Sequence, residues 1–186
     1  MNKNEIEKYT ETEIQNGKTH QEIFNKIVST SNFNIHDVAT VVRKIPTLEK
    51  RKKYSGINSV LVGLLALAII SRLITGLFEI TQGHNDASVI VMFFPLATIL
   101  LLYGTYKYKR NAHLATGLFM IFGALMATLR LINNFDIFAL GDILFTIFGS
   151  ILAFYLSSKL VGDYVLDQEL KKTNPEQREN ALIFTE

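Results

Sequence analysis

The chain has 186 residues, lacks cysteine and carries a formal net charge of +2. The lack of cysteine excludes disulfides and thiolate metal sites, and the balanced charge indicates neither nucleic acid nor an acidic partner. The apolar residues are unevenly distributed, because residues 1–54 are polar and residues 57–160 are almost continuously apolar. Charges run through residues 1–22, so we expect no signal peptide there.

Residues 1–54 predict a small cytoplasmic helical domain, the N-terminal head, built as a hairpin or a three-helix cluster. The signals that delimit its helices are Gly17, the Thr19–Glu22 capping box, Pro46 and the capping residue Thr47. Its apolar faces are Ile23, Phe24, Ile27 and Val28 on the second helix, and Val38, Val41, Val42 and Ile45 on the third. Phe33 and Leu48 are the predicted plugs of a core that is marginal at this size.

Four apolar runs in the middle of the chain predict four membrane-spanning helices. A helix needs about 20 apolar residues to cross a hydrocarbon core of about 30 Å. The runs are residues 57–80, 87–106, 112–132 and 138–161. A soluble bundle is disfavoured, because the second and fourth runs have no polar stripe. The predicted fold is therefore all-α, with a four-transmembrane-helix bundle (residues 55–161) between the N-terminal head and a cytoplasmic C-terminal tail (residues 162–186).

Lysine and arginine flank the predicted spans on one side only. They precede the first run, fill the break between the second and third, and follow the fourth, whereas the other two breaks have none. By the positive-inside rule we expect both termini to be cytoplasmic, in a bacterial inner membrane. The cations predicted to contact anionic lipid are Lys50, Arg51, Lys52, Lys53, Lys107, Lys109 and Arg110.

A DNA-binding helix-turn-helix is an alternative interpretation of the N-terminal head, and it is disfavoured. The connector between its second and third helices is several residues longer than a tight helix-turn-helix joint. The third helix offers only Arg43 and Lys44 to a phosphate or a base, and both lie at its far end. We therefore expect membrane lipids and a cytoplasmic protein as partners, and no nucleic acid.

Ionisable residues within the spans predict an intramembrane charge cluster. Its members are Arg72, Glu79, Arg130, Asp136 and Asp142, which all fall in the outer leaflet by this topology. A charge at mid-membrane costs about 2.5–3.5 kcal/mol on insertion scales, so we expect such residues to pair. Ion pairs that fix helix register are one interpretation. A proton or ion pathway, or a polar ligand pocket, is the other.

Small residues four apart predict close helix packing in the third and fourth spans. The pairs are Gly123 with Ala127 and Gly149 with Ala153, and they fit either packing within one chain or a homo-oligomer. Pro95 is expected to kink the second span, because it removes a backbone hydrogen bond.

No motif for catalysis or for a cofactor occurs in the sequence. The four histidines are His20, His36, His84 and His113, and none has the spacing of a metal-binding helix. We expect His84 in a solvated turn and His113 at the membrane interface. The tail is expected to continue the last span as a helix to Lys172, and its apolar end either packs on the N-terminal head or frays.

These patterns favour a non-enzymatic membrane protein with a regulatory, sensing or assembly role, acting through its head and tail. The alternative is a small transporter or channel, or a subunit of one, that uses the intramembrane charge cluster. A membrane enzyme that uses Glu79, Asp136 and Asp142 is the third possibility. We expect no cofactor and no metal.

Overall fold

A computed structural model of the chain describes residues 2–30, 34–81, 85–134, 137–166 and 182–185. Side chains are described in these ranges except at residues 75–76, 78–80, 85–94, 134, 137–138, 163–166, 182 and 185. The chain divides into two compact units. We call Met1–Tyr54 together with Lys159–Glu186 the head unit, and Ser55–Ser158 the span unit.

Four helices form the N-terminal part of the head unit: α1 (Lys3–Gln15), α2 (His20–Thr30), α3 (Ile35–Val42) and α4 (Leu48–Lys53). A capping box of Asn2 and Glu5, which the sequence analysis missed, opens α1. The predicted box opens α2, where the Glu22 amide donates to the Thr19 hydroxyl at 3.3 Å and the Thr19 amide donates to the Glu22 carboxylate at 2.9 Å. The predicted cap Thr47 accepts a hydrogen bond from the third amide of α4 at 3.4 Å.

The apolar faces of α1, α2 and α3 meet in one core. Its buried members are Ile6, Ile14, Ile23, Phe24, Ile27, Val38, Ala39, Val41, Val42, Ile45 and Phe184. The predicted faces of the second and third helices therefore lie in the core, although Val28 is only partly buried. The prediction that Leu48 plugs this core is wrong, because its side chain is 45% exposed on α4. Phe33, the other predicted plug, lies outside the described residues.

Two short strands complete the head unit beyond the last helix. They are β1 (Asp163–Leu166) and β2 (Leu182–Thr185), and they pair antiparallel with Asp163 opposite Thr185. The predicted continuation of the last span as a helix to Lys172 is therefore wrong. On β2, Phe184 is 6% exposed, and its ring centroid lies 5.4 Å from that of Phe24. Phe184, near the end of the described chain, therefore packs in the same core as the N-terminal helices.

The span unit consists of α5 (Ser55–Thr81), α6 (Asn85–Tyr106), α7 (Arg110–Asn134) and most of α8 (Ile137–Lys159). Three segments in the described residues are long and apolar enough to cross a membrane: Ser55–Ile74, Arg110–Asn133 and Ala139–Lys159. Most of each apolar window is not buried by protein, so leucine and isoleucine side chains face outward. Acyl chains are the solvent that suits such surfaces, and we conclude that this is a membrane protein.

Close approaches between helices in the span unit occur at glycine. A methyl group added to Gly104 of α6 would lie 2.5 Å from the Cβ of Ala112 in α7. One added to Gly117 of α7 would lie 2.9 Å from the ring of Phe154 in α8. Glycine at these two positions therefore permits α6, α7 and α8 to approach closely, as small residues do in membrane bundles.

Candidate functional site

A set of buried polar residues lies at one end of the span unit, where α6 turns into α7. Asn58 stands in the first turn of α5, Thr105 in the last turn of α6, and His113 and Thr116 in the first two turns of α7. We call these four residues the polar network. Their exposed fractions are 0% except for Asn58, which is 3% exposed. Polar side chains excluded from water in a membrane bundle need hydrogen-bond partners, and the four residues supply them to one another and to the backbone.

Hydrogen bonds join the polar network across three helices. The Asn58 amide nitrogen donates to the Thr105 carbonyl at 3.2 Å, which links α5 to α6. The Asn58 side-chain oxygen lies 2.8 Å from His113 Nε2, which links α5 to α7. The Thr105 and Thr116 hydroxyls lie 3.3 Å apart, which links α6 to α7. Asn58 therefore connects the start of α5 to both helices of the α6–α7 hairpin.

The turn between α6 and α7 brings these residues together. The Lys109 amide donates to the Gly104 carbonyl at 2.9 Å, and the Tyr108 amide donates to the Thr105 carbonyl at 3.0 Å. This pair of bonds is a Schellman motif, which places one residue in the left-handed region. That residue is Tyr108, with φ 56°, where glycine is usual. The left-handed tyrosine is a local strain that the surrounding hydrogen bonds maintain.

His113 completes the site at the start of α7. Its Nδ1 lies 3.0 Å from the carbonyl oxygen of Lys109, one turn earlier. The expected depth of His113 at the membrane interface stays a prediction, but its side chain is buried among helices and bonded on both ring nitrogens, which the sequence analysis did not anticipate. Asn58 escaped the sequence analysis as well. A single asparagine within an apolar span was the signal that could have found it, since such a residue needs a partner on another helix.

The other histidines have different surroundings. In the head unit, His20 is buried and its Nε2 donates to the Ile45 carbonyl at 2.6 Å. Its ring stacks at an angle on Phe184, with centroids 5.6 Å apart. His36 is exposed, and His84 lies outside the described residues. No group of three or more His, Cys, Asp or Glu side chains that could hold a metal ion occurs in the part of the chain that the structure describes.

The predicted intramembrane charge cluster is described only in part. Arg72 is half-buried on α5, whereas Arg130 on α7 and Asp142 on α8 are exposed. The side chain of Glu79 and the whole of Asp136 lie outside what the structure describes. The pairing of these charges stays a prediction.

Two of the predicted lipid-contacting cations make hydrogen bonds within the head unit. The Lys50 ammonium donates to the Val161 carbonyl at 3.2 Å, and Arg51 Nε donates to the Pro46 carbonyl at 3.1 Å. Lys52, Lys53, Lys107 and Lys109 are exposed, while Arg110 is half-buried. Contact of any of them with lipid stays a prediction.

The predicted packing residues of α7 and α8 either lie at close contacts with a neighbouring side chain or are buried. A methyl group on Gly123 would lie 3.2 Å from Thr146 Cγ2, and one on Gly149 would collide with the thioether of Met120. Ala127 and Ala153 are buried. Ser150 of α8 adds a polar link, since its hydroxyl donates to the Gly117 carbonyl at 3.2 Å. Whether these residues also form an oligomer interface stays a prediction.

The chemistry available to the polar network is hydrogen bonding and proton exchange. Threonine hydroxyls and an asparagine amide do not titrate, and His113 is the one member that binds or releases a proton near neutral pH.

Comparisons with protein-family models, with curated proteins and with solved structures gave no match. The function is therefore inferred from the residues and their geometry.

Proposed function

We propose that this chain is a four-span protein of a bacterial inner membrane whose head unit is cytoplasmic and engages a protein partner in a regulatory, sensing or assembly role. In this proposal α6 is the fourth span. The part of α6 whose side chains are described, Pro95–Tyr106, is apolar. The whole helix has 22 residues, which is about the length that a span needs. The one-sided lysine and arginine support the cytoplasmic placement of both ends.

The observation that carries the proposal is that the segments before and after the spans fold into one domain. The amide of Gly162 donates to the Arg43 carbonyl at 3.0 Å, and the Phe184 amide donates to the Gln21 side chain at 3.0 Å. The side chain of Phe184 fills the core between His20 and Phe24. A chain that needed only a membrane anchor would not require a core shared by the segments that precede and follow its spans in sequence. A folded domain instead offers a defined surface of the kind that protein partners bind.

The proposed partner is tested by site-specific crosslinking in native membranes. A photoreactive amino acid is placed at exposed His36 or at exposed Lys52 of the full-length protein. We expect an adduct of discrete mass that is weakened by Phe184→Ala, which opens the head unit, and retained with Ile183→Ala on the exposed face of β2. The proposal fails if the only crosslinked species are lipids, or if Phe184→Ala leaves every protein adduct unchanged.

The proposed topology is tested by reporters that work on one side of the membrane only. A fluorescent protein that folds only in the cytoplasm is fused before residue 2 and after residue 186, and we expect both fusions to be fluorescent. A cysteine at residue 83, between α5 and α6, is expected to react with an impermeant reagent from the outside. A cysteine at Lys107 serves as the control, and it should react only after the membrane is permeabilised.

A small transporter or channel is the second candidate, and one observation favours it. Arg72 is half-buried among helices of the span unit, where an arginine is costly unless it has a role. This candidate predicts proton- or ion-dependent flux in liposomes that is lost on neutralising Arg72 or Asp142. Flux that is absent from the wild-type protein, or unchanged in both variants, excludes it.

A further inference from the structure

We propose that His113 is a proton-binding site within the membrane region, and that its proton controls the hydrogen bond between α5 and α6. His113 lies in the span unit, so this proposal does not require that the head unit engage a partner. The proton count on the imidazole follows from which neighbouring atoms can donate a hydrogen bond and which can only accept one.

The first ring nitrogen of His113 faces a group that only accepts. Nδ1 lies 3.0 Å from the backbone carbonyl oxygen of Lys109. A carbonyl oxygen has no hydrogen to give, so Nδ1 must carry the proton of this bond.

The second ring nitrogen faces an acceptor as well, and Thr105 determines this. The two ends of the Asn58 amide lie 3.2 Å from the Thr105 carbonyl and 2.8 Å from His113 Nε2. Because the Thr105 carbonyl only accepts, the amide nitrogen of Asn58 must face it. The Asn58 oxygen is therefore left facing Nε2, so Nε2 must also carry a proton. The described geometry fits an imidazole protonated on both nitrogens.

Loss of one proton forces a change in these bonds. A neutral imidazole has one donor nitrogen and one acceptor nitrogen. If Nδ1 keeps its proton, Nε2 becomes an acceptor opposite the Asn58 oxygen. The contact becomes favourable again when the Asn58 amide turns over and donates to Nε2, and its nitrogen then leaves the Thr105 carbonyl. We take Nδ1 as the nitrogen that keeps its proton, because the Lys109 carbonyl is fixed in the backbone and cannot become a donor, whereas the Asn58 amide can turn over. The second proton on His113 is then exchanged for the hydrogen bond between α5 and α6.

Besides His113, the described titratable side chains near this end of the span unit are those of lysines, one arginine and tyrosines, and the tyrosines are uncharged near neutral pH. None of them is on α5, where the first titratable side chain after Asn58 is Arg72, about four turns away. They are Tyr103 and Tyr106 of α6, Lys107, Tyr108 and Lys109 of the turn, Arg110 of α7, and Tyr155 of α8. The carboxylates of Ser55–Ser158 in the sequence are Glu79, Asp86, Asp136 and Asp142, and none belongs to the first turn of α5, the last turn of α6 or the first turn of α7. Among the described residues, the two groups bonded to the imidazole are the Lys109 carbonyl and the Asn58 amide, both neutral, so neither retains the proton as a carboxylate would.

The test is nitrogen-15 NMR of the histidine side chains of the full-length protein in lipid nanodiscs. The sample is titrated between about pH 8 and about pH 5, the range over which imidazole ordinarily changes charge. The signal that disappears in His113→Gln identifies His113, and exposed His36 is the internal reference. We expect His113 to gain a second N–H as the pH falls, and the Asn58 side-chain amide signals to move with the same midpoint.

Asn58→Asp provides the second measurement. It puts a carboxylate 2.8 Å from Nε2, in place of the amide oxygen. An adjacent opposite charge favours the cation, so we expect the ratio of doubly to singly protonated His113 at a fixed pH to rise about tenfold or more, with His36 unchanged.

Two results would overturn the proposal. One is a His113 that keeps a single neutral tautomer over the whole pH range in the wild-type protein. The other is an Asn58→Asp variant in which the His113 titration is unchanged. If Asn58→Asp does not accumulate in the membrane, the wild-type titration alone decides. Neither result depends on the crosslinking that tests the proposed partner.

Discussion

Asn58 is the residue through which α5 bonds to both helices of the α6–α7 hairpin. Its two amide atoms bond to α6 and to α7, and both bonds are shielded from water. In a membrane the alternative to such a bond is an unsatisfied polar group, yet measured values for bonds of this kind are modest. The significance of Asn58 is therefore one of position, because it determines which groups His113 faces.

The bond between Asn58 and His113 is expected to contribute a coupling free energy of about 0.6 to 1.7 kcal/mol. A double-mutant cycle of Asn58→Ala and His113→Ala measures it, with unfolding followed in mixed detergent micelles. The control is a cycle of Asn58→Ala with Ser150→Ala, because Ser150 bonds to Gly117 instead. We expect that control coupling to be close to zero. Equal couplings in the two cycles would mean that the Asn58–His113 bond is not made.

Phe184 is the corresponding residue of the head unit. Its side chain is 6% exposed, whereas that of its neighbour Ile183 is 44% exposed. We expect Phe184→Ala to destabilise the head unit by about 3–5 kcal/mol, as for other buried aromatic residues. The measurement is hydrogen exchange of the amides of α1, α2 and α3 in the full-length protein in nanodiscs. Ile183→Ala is the matched control, expected to change stability by about 0.5 kcal/mol or less, and equal effects would contradict the proposed burial.

The burial of His113 was not predicted from the sequence. Its neighbours in sequence are the cations of the α6–α7 turn, which indicate only a position near the membrane interface. Its burial depends on Asn58, which stands 55 residues earlier in the chain. A contact over that distance has no local pattern, so only the packing of α5 against α7 reveals it. The capping residues Thr19 and Thr47 were predicted, because their partners lie three residues away.

At the scale of elements, the α6–α7 hairpin brings two helices of the span unit into close contact. Its short turn holds Tyr108 in the left-handed region, and its first contact is Gly104 on Ala112. These two residues face each other with nothing larger than a methyl group between the helices. Neither position has a rotatable side chain, so added volume has to be accommodated by the backbone.

We expect Gly104→Ala to destabilise the span unit by about 1–3 kcal/mol, because its methyl group would lie 2.5 Å from the Cβ of Ala112. Ala112→Gly in the same chain removes the collision and is expected to restore much of the loss. Gly63→Ala on α5 is the matched control, because a methyl group there meets nothing within 4 Å. That control is expected to raise stability by about 0.5–1 kcal/mol through helix propensity. Unfolding in mixed micelles is the measurement, and a loss in Gly63→Ala as large as that in Gly104→Ala would contradict this packing.

The sequence predicted most of the helices, but it did not predict the two strands. The helices carry periodic apolar residues or long apolar runs, which are local signals, and their predicted positions agree with α1 to α3 and α5 to α8 within a few residues. The strands β1 and β2 have four residues each and are separated in sequence by 15 residues outside the described ranges. Their pairing is a tertiary event, and four-residue apolar segments predict a strand weakly.

At the scale of the whole molecule, the division into a head unit and a span unit has an experimental consequence. Each unit has its own set of packed residues, so we expect full-length protein in nanodiscs to lose its structure in two transitions. Urea should unfold the head unit first, while the helices in lipid stay formed. Phe184→Ala is expected to move only the first transition. Gly104→Ala should instead move only the second transition, the unfolding of the span unit, which is measured in mixed detergent micelles. A single transition that both variants shift equally would contradict this separation.

The strand that carries Phe184 also sets an order on biogenesis. The residues that Phe184 meets are made early, and Gln21, which accepts its amide proton, precedes it by 163 positions. Ribosomal synthesis of α5 to α8 must therefore finish before Phe184 can enter that core. Until then His20 and Phe24 lack the aromatic ring that packs against them. A product interrupted anywhere in α5 to α8 lacks Phe184 altogether, so its N-terminal helices never acquire this part of their core.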